Sequence, residues 1–86
     1  MVNATVDRIE LLRTFVHIVD AGSLSAAAHS LQTSQPTISR RLQQLERYLG
    51  MCLLERSPHH LSVTRDGARC YESATRFLLR WEAAGF

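Results

Sequence analysis

Apolar residues recur at helical spacing through most of this chain, interrupted by one segment of strand-like character. Ile9, Leu12, Val16 and Val19 keep one stripe, and Leu11, Phe15 and Ile18 widen it. This predicts a first helix from about Asp7 to Asp20, with an apolar band broad enough to meet several other helices. Ala21-Gly22 ends it, with Gly22 where a left-handed cap is favoured. Ser23 then caps a short second helix over Leu24 to Leu31, in which Ala26, Ala27 and Ala28 let another helix approach closely. Gln32-Thr33-Ser34 reads as a brief turn. A third helix follows with a strong start signal. The Ser34 hydroxyl can accept an orphan backbone N–H, and Pro36 sits in the first turn, where its fixed φ suits a helix. Ile38, Leu42, Leu45 and Leu49 form its buried stripe, and Gly50 stops it. Met51 to Thr64 changes character. Cys52-Leu53-Leu54 and Leu61-Ser62-Val63 are short β-compatible runs around the polar stretch Glu55 to His60, which Pro58 breaks, so a two-stranded hairpin with an irregular tip is expected. Thr64 caps a last helix running to about Ala84, with Asp66 near the positive end of its dipole. Gly67 costs that helix about 1 kcal/mol against Ala, which points to close packing. Tyr71, Ala74, Leu78 and Trp81 recur at spacings of three and four, a seam for another helix, and Phe77 and Leu79 add apolar surface. Part of that surface is expected to meet a partner chain. The alternative is that it folds back onto the domain.

A short helix, a tight turn and a second helix with a polar outer face make the helix-turn-helix pattern, and the hairpin beside them reads as a wing. The expected fold is therefore mainly α: a winged helix-turn-helix with a three-helix core, a short β wing and a long C-terminal helix. The outer face of the third helix carries Gln35, Ser39 and Gln43, with Pro36, Thr37 and Arg40 beside them. These side chains bring hydrogen-bond donors and acceptors and no acid, which suits the base edges of a DNA major groove. Arg40 can pair with guanine O6 and N7, and Gln35 with adenine. Pro36 and Thr37 can touch a thymine methyl, and Gln43, one turn beyond Ser39, can reach a base or the backbone. A solvated polar face is the competing reading for each. Hydroxyls and amides at Ser23, Ser25, Thr33 and Ser34 suit phosphate oxygens, although plain capping explains them too. Arg41, Arg56, His59 and His60 are the phosphate candidates outside the groove.

Charge sharpens this picture modestly. The net charge is +2, but from Ser30 to Arg69 six arginines face three acids, so the excess lies in the middle of the chain. All ten basic residues are arginine, whose planar fork pairs with phosphate or guanine. Eighty-six residues make one small domain. No apolar run approaches the roughly 20 residues of a membrane span, and Met1 to Arg8 lacks a signal-peptide layout, so a cytoplasmic location is the default expectation. Cys52 and Cys70 are too far apart for a redox or zinc motif, and a buried, inert thiol is expected for each. Adjacent strand residues point to opposite faces, so His59-His60 is not expected to hold a metal. His17 and His29 read as structural or solvated. No cofactor is expected. With no Gly-rich phosphate loop, carboxylate pair or nucleophile grouping, an enzyme is disfavoured. A protein-binding module would use the apolar last helix but leaves the Gln/Ser/Arg face unexplained. RNA binding lacks exposed aromatics for stacking.

The run Phe15-Val16-His17-Ile18-Val19-Asp20-Ala21-Gly22-Ser23-Leu24-Ser25-Ala26-Ala27-Ala28 resembles the opening of the LysR-type transcriptional regulators. Leu31 to Arg40, followed by Leu45-Glu46 and Leu49-Gly50, is similar to their recognition segment. Leu53-Leu54-Glu55-Arg56 with Val63-Thr64-Arg65-Asp66-Gly67 resembles their wing and the start of their linker helix. The likeness spans roughly residues 7 to 80. It implies a winged helix-turn-helix over 1–64 and a linker and dimerisation helix over 65–86. It also implies double-stranded DNA as partner, with the helix at about 35–49 in the major groove. Gln35, Pro36, Ser39 and Arg40 match the positions that face the groove. Linker helices of two subunits pack together in this family, which assigns Tyr71, Ala74, Phe77, Leu78 and Trp81 to a homodimer, with a higher oligomer open to the full-length protein. Family members add a C-terminal α/β domain that senses a small molecule, and these 86 residues leave no room for it. The chain departs from the family at Leu54, where Phe is common, in Val63 to Gly67, and at the His59-His60 tip. Those departures bear on the wing's phosphate contacts.

Overall fold

A computed structural model describes residues 4–57 and 60–85. Their order is α1 (Ala4–Ala21), α2 (Leu24–Ser30), α3 (Gln35–Leu49), β1 (Leu54–Ser57), β2 (His60–Val63) and α4 (Arg65–Ala83). Three of the helices start on a hydroxyl. Ser23 accepts the Ala26 N–H at 3.0 Å, Ser34 that of Thr37 at 3.2 Å, and Thr64 that of Gly67 at 2.9 Å. Each such cap satisfies an orphan donor and is worth about 1 kcal/mol. Gly50 closes α3 at φ +67°, a left-handed conformation that only glycine adopts cheaply, and its N–H returns to the Glu46 carbonyl.

The core joins α1, α2 and α3. Leu11, Phe15 and Ile18 meet Leu24, Ala27 and Ala28 of α2 and Ile38, Leu42 and Leu45 of α3, with Leu53 and Leu54 closing the wing end. The expected centre of the α1 band is thereby corrected. Phe15 and Ile18 are fully buried, whereas Leu12, Val16 and Val19 are only half-buried. Three helices pack on α1, and its deepest line runs where α2 and α3 converge. Leu49, the last residue of the α3 stripe, overshoots the core and stays partly exposed.

The hairpin forms, but in a shifted place. β1 and β2 pair antiparallel, Leu54 opposite Val63 and Arg56 opposite Leu61. Cys52 and Leu53 stand outside the ladder because their backbone groups are spent elsewhere. The Glu46 carboxylate accepts the Leu53 N–H at 2.7 Å and the Leu54 N–H at 3.4 Å. The Cys52 and Leu53 carbonyls accept the Thr64 hydroxyl at 2.6 and 3.1 Å. Glu55-Arg56-Ser57, expected at the tip, carries the strand instead. His59 lies outside the described residues, as does the side chain of His60.

Gly67 confirms the close approach its sequence position suggested. A Cβ there would overlap the Leu53 carbonyl oxygen and come within 2.9 Å of Val63 Cγ1. Beyond it, α4 runs antiparallel to α1. Tyr71 donates its hydroxyl to Asp20 Oδ1 at 2.6 Å, and Arg13 Nη1 donates to Glu82 Oε1 at 3.0 Å. The bond to Asp20 pushes the Tyr71 phenol above its ordinary pKa, because ionisation would forfeit that bond beside a carboxylate. Ala74 and Leu78 are buried within the single chain. The expected seam is therefore partly an internal one: Tyr71, Ala74 and Leu78 face α1, while Phe77 and Leu79 remain exposed, the latter at 68%. Among the described residues no helix is long and apolar enough to cross a membrane.

Candidate nucleic-acid interface

The turn between α2 and α3 holds Gln32 at φ +55°, a left-handed conformation unusual outside glycine, and anchors the Thr33 N–H on the Ala28 carbonyl at 2.9 Å. This sharp reversal lays α2 beside α3 and leaves one side of α3 uncovered. Ile38, Leu42 and Leu45 fix the helix to the body, so the opposite residues point away from it. Pro36, Arg40 and Gln43 are exposed there, and Gln35 is exposed at the helix start. Thr37 and Ser39 are half-buried at the margins. Arg47 continues the same face one turn past Gln43 and is exposed too. The sequence reading missed it, although its spacing of seven from Arg40 was signal enough.

Electrostatically this face is one-sided. Glu46 is the single acid in α3, and its carboxylate is turned aside onto the Leu53 and Leu54 N–H groups. Among the described residues no salt bridge involves an α3 arginine. Cations and amide donors therefore stand together without a neutralising neighbour.

The hydroxyl candidates are less open. Ser34 Oγ lies 2.8 Å from Thr37 Oγ1 and also caps the helix, so these two side chains are engaged with each other. Ser23 is engaged as the α2 cap, Ser25 is exposed, and Thr33 is half-buried. Arg41 is brought to a different place from Arg40. It is half-buried on the flank that turns to α1, where it lines a shallow depression with Glu10, Leu11 and Gln44.

The wing meets α3 directly. Side chains alternate along a strand, so Arg56 shares the face of buried Leu54 and points toward the helices. Its Nη1 donates to Ser39 Oγ at 3.0 Å. Ser39 and Glu46, two turns apart on one flank of α3, thus both hold the wing segment. The sequence reading placed Arg56 and Ser39 in separate groups, since it began the strand too early to see this facing.

The two cysteines bring no activated thiol. Cys52 proves exposed rather than buried, and Cys70 is half-buried. Desolvation, followed by the nearby Glu46 and Glu55 carboxylates, raises the Cys52 thiol, and burial raises that of Cys70. Neither is poised as a thiolate. Among the described residues no group of three or more His, Cys, Asp or Glu side chains could hold a metal.

Comparison with known proteins agrees with this geometry. The family described as "Bacterial regulatory helix-turn-helix protein, lysR family" matches residues 9–68. The chain is 43% identical over 67 residues to the HTH-type transcriptional regulator TcbR of Pseudomonas sp. strain P51, covering 78% of this chain and 23% of that one. It is 43% identical over 65 residues to the transcriptional activator protein LysR of Escherichia coli K12, covering 76% and 21%. It spans about a fifth to a quarter of the length of the curated relatives it matches. Among solved structures, the CbnR DNA-binding domain in complex with DNA superimposes with a TM-score of 0.86 at 39% identity, covering 90% of this chain and 88% of that one. The BenM DNA-binding domain on catB site 1 DNA gives 0.84 at 36%, covering 88% and 84%. The three-helix core, the β wing and the long last helix are those of a winged helix-turn-helix, and the chain belongs to the LysR family of bacterial transcriptional regulators.

Proposed function

We propose that this chain binds double-stranded DNA sequence-specifically as the DNA-binding part of a LysR-type regulator, with α3 in the major groove. The observation that carries this is the exposed, acid-free face of Gln35, Pro36, Arg40, Gln43 and Arg47 on a helix anchored by Ile38, Leu42 and Leu45. Arg40 and Gln35 offer the bidentate geometries that discriminate guanine and adenine, and Pro36 offers apolar contact to thymine. Backbone amides and hydroxyls near Ser23, Ser25, Thr33 and Ser34, with Arg56 in the wing, supply phosphate contacts that set register. Arg41 contributes long-range charge rather than a groove contact. That the similar CbnR and BenM DNA-binding domains are found in complex with DNA supports DNA as the partner.

The dimer expected through the last helix is carried by its outward part. Phe77 and Trp81 lie with ring centroids 6.1 Å apart, and Phe77 is partly exposed. A second copy covering them would place two α3 helices on a two-half-site operator. Effector sensing belongs to a C-terminal domain of the longer family members.

The test is a gel shift on duplexes selected from a random pool, repeated across salt. Affinity should fall steeply between about 50 and 200 mM salt, because phosphate contacts release counterions. Failure to enrich any duplex, or binding indifferent to salt, would overturn the proposal.

A further inference from the structure

We infer that Arg8, laid over the ring of Tyr48, is a phosphate-binding residue of the DNA interface, on the side of α3 opposite the wing. The inference rests on the proposed docking of α3 and extends the interface to α1. α3 has two flanks. Ser39 and Glu46 hold the wing on one of them. Arg41, Gln44 and Tyr48, at spacings of three and four, line the other, which turns to α1. Tyr48 is 51% exposed, and the guanidinium carbon of Arg8 lies 5.1 Å from its ring centroid. Packing alone does not account for this pair, since Arg8 and Tyr48 both remain exposed.

A guanidinium stacked on a ring uses the face of its plane. Its N–H groups point outward within that plane, so the stack leaves them free for a bidentate acceptor such as phosphate. Stacking also holds a long, flexible side chain in place, so less freedom is lost on binding. No acid competes for these donors: Arg8 forms no salt bridge among the described residues, and Glu10 of the same helix is turned to Arg13 Nε at 3.4 Å. The placement fits a backbone contact rather than a base contact. A helix with its side chains is about 10–12 Å across and the major groove about 12 Å wide, so α3 passes a phosphate strand on each flank. The N-terminal residues of a recognition helix reach the bases. Tyr48 lies in the last turn of α3, nearer the rim of the groove than its floor. Arg8 meets the strand on the α1 side, as Arg56 meets the one on the wing side. Tyr48 is accordingly a positioning residue, acting through Arg8.

The experiment uses the 86-residue chain and the duplex that the wild type selects from a random pool. Each phosphate of that duplex is replaced in turn by an uncharged methylphosphonate. Affinities of the wild type, Arg8→Ala, Tyr48→Leu and Tyr48→Phe are then measured across salt. For the wild type, neutralising one phosphate on the strand that faces α1 should weaken binding roughly three- to tenfold, the size of one hydrogen bond. In Arg8→Ala that penalty should vanish. Its affinity for the unmodified duplex should fall by a similar factor, base preferences should stay as they were, and the salt slope should shrink by about one. Tyr48→Leu keeps the arginine but removes the stack, and should lose most of the penalty at the same phosphate. Tyr48→Phe, which restores the ring, should regain it. Circular dichroism checks that every variant is folded, which the exposure of both residues favours. If Arg8→Ala and the wild type respond alike to methylphosphonate at every position, Arg8 touches no phosphate and the inference fails. If Arg8→Ala changes the preferred base at one position, Arg8 reads a base and the phosphate assignment fails. If Tyr48→Leu keeps the full penalty, the stack positions nothing and the inference fails as stated. Failure of the wild type to select any duplex would instead overturn the DNA-binding proposal beneath it.

Discussion

Helices α3 and α4 are built alike and face outward differently. They are 15 and 19 residues long, both start on a hydroxyl cap, and both bury one stripe. On α4 both outward glutamates are spent on ion pairs, Glu72 at 3.2 Å from Arg76 and Glu82 at 3.0 Å from Arg13 of α1, while Arg65, Arg69 and Arg80 are exposed and form no salt bridge among the described residues. Such exposed pairs contribute roughly 0–1 kcal/mol to stability and leave little field behind. Unlike α3, α4 also presents large apolar side chains to solvent, in Phe77 and Leu79. On α3 the one acid is turned onto the wing backbone, and the arginines stand without an acid partner among the described residues. Amphipathicity alone therefore does not say what a helix is for. The large apolar side chains it exposes, more than its charges, separate a surface suited to an apolar neighbour from one suited to a polyanion.

The sharpest way to break this contrast lies on α4. Leu78→Glu puts a charge into the α1–α4 contact, where Leu78 is 7% exposed, and should cost at least about 3 kcal/mol of stability in urea unfolding. Leu79→Glu, at 68% exposure, should stay within about 0.5 kcal/mol. Equal stabilities would mean that α4 does not pack on α1 by this face. Next comes the charge contrast. Arg40→Ala should cost roughly 1–3 kcal/mol in affinity for the selected duplex and relax one base position, whereas Arg76→Ala, already paired with Glu72, should leave affinity nearly unchanged. Matching losses, measured by titration at fixed salt, would show that bulk charge and not the α3 face governs binding. The smallest effect concerns the clamp between α1 and α4. Asp20 holds the Tyr71 phenol protonated above its ordinary value of 10.0, so the unfolded chain ionises first. That contribution to stability is complete below about pH 10 and fades as pH climbs through the raised folded value. Urea midpoints measured from pH 7 to 11 should decline less for Tyr71→Phe than for the wild type. Identical declines would remove Tyr71 from the clamp.

The helix boundaries were legible because caps are local chemistry. Ser23, Ser34 and Thr64 sit at the three starts they announce, and Gly50 at the stop. The α3 face was legible as well, since periodicity alone assigns Ile38 and Leu42 inward and Arg40 and Gln43 outward. The hairpin register was not. Strand propensity favoured Cys52-Leu53, but the Glu46 carboxylate and Thr64, both distant along the chain, take their backbone groups. The facing of Arg56 toward Ser39 followed from that register and was invisible without it.

On its own, the order of residues determined which segments become helices, which side of α3 carries donors and cations, and which family the chain resembles. All three depend on spacings of a few residues, where backbone geometry is nearly fixed. Only tertiary structure decided that Ala74 and Leu78 serve the chain's own core, that Cys52 lies in the open, and that the wing arginine rests on the recognition helix. Those outcomes depend on which distant surface arrives first at a shared stripe or carboxylate, and local spacing holds no record of that.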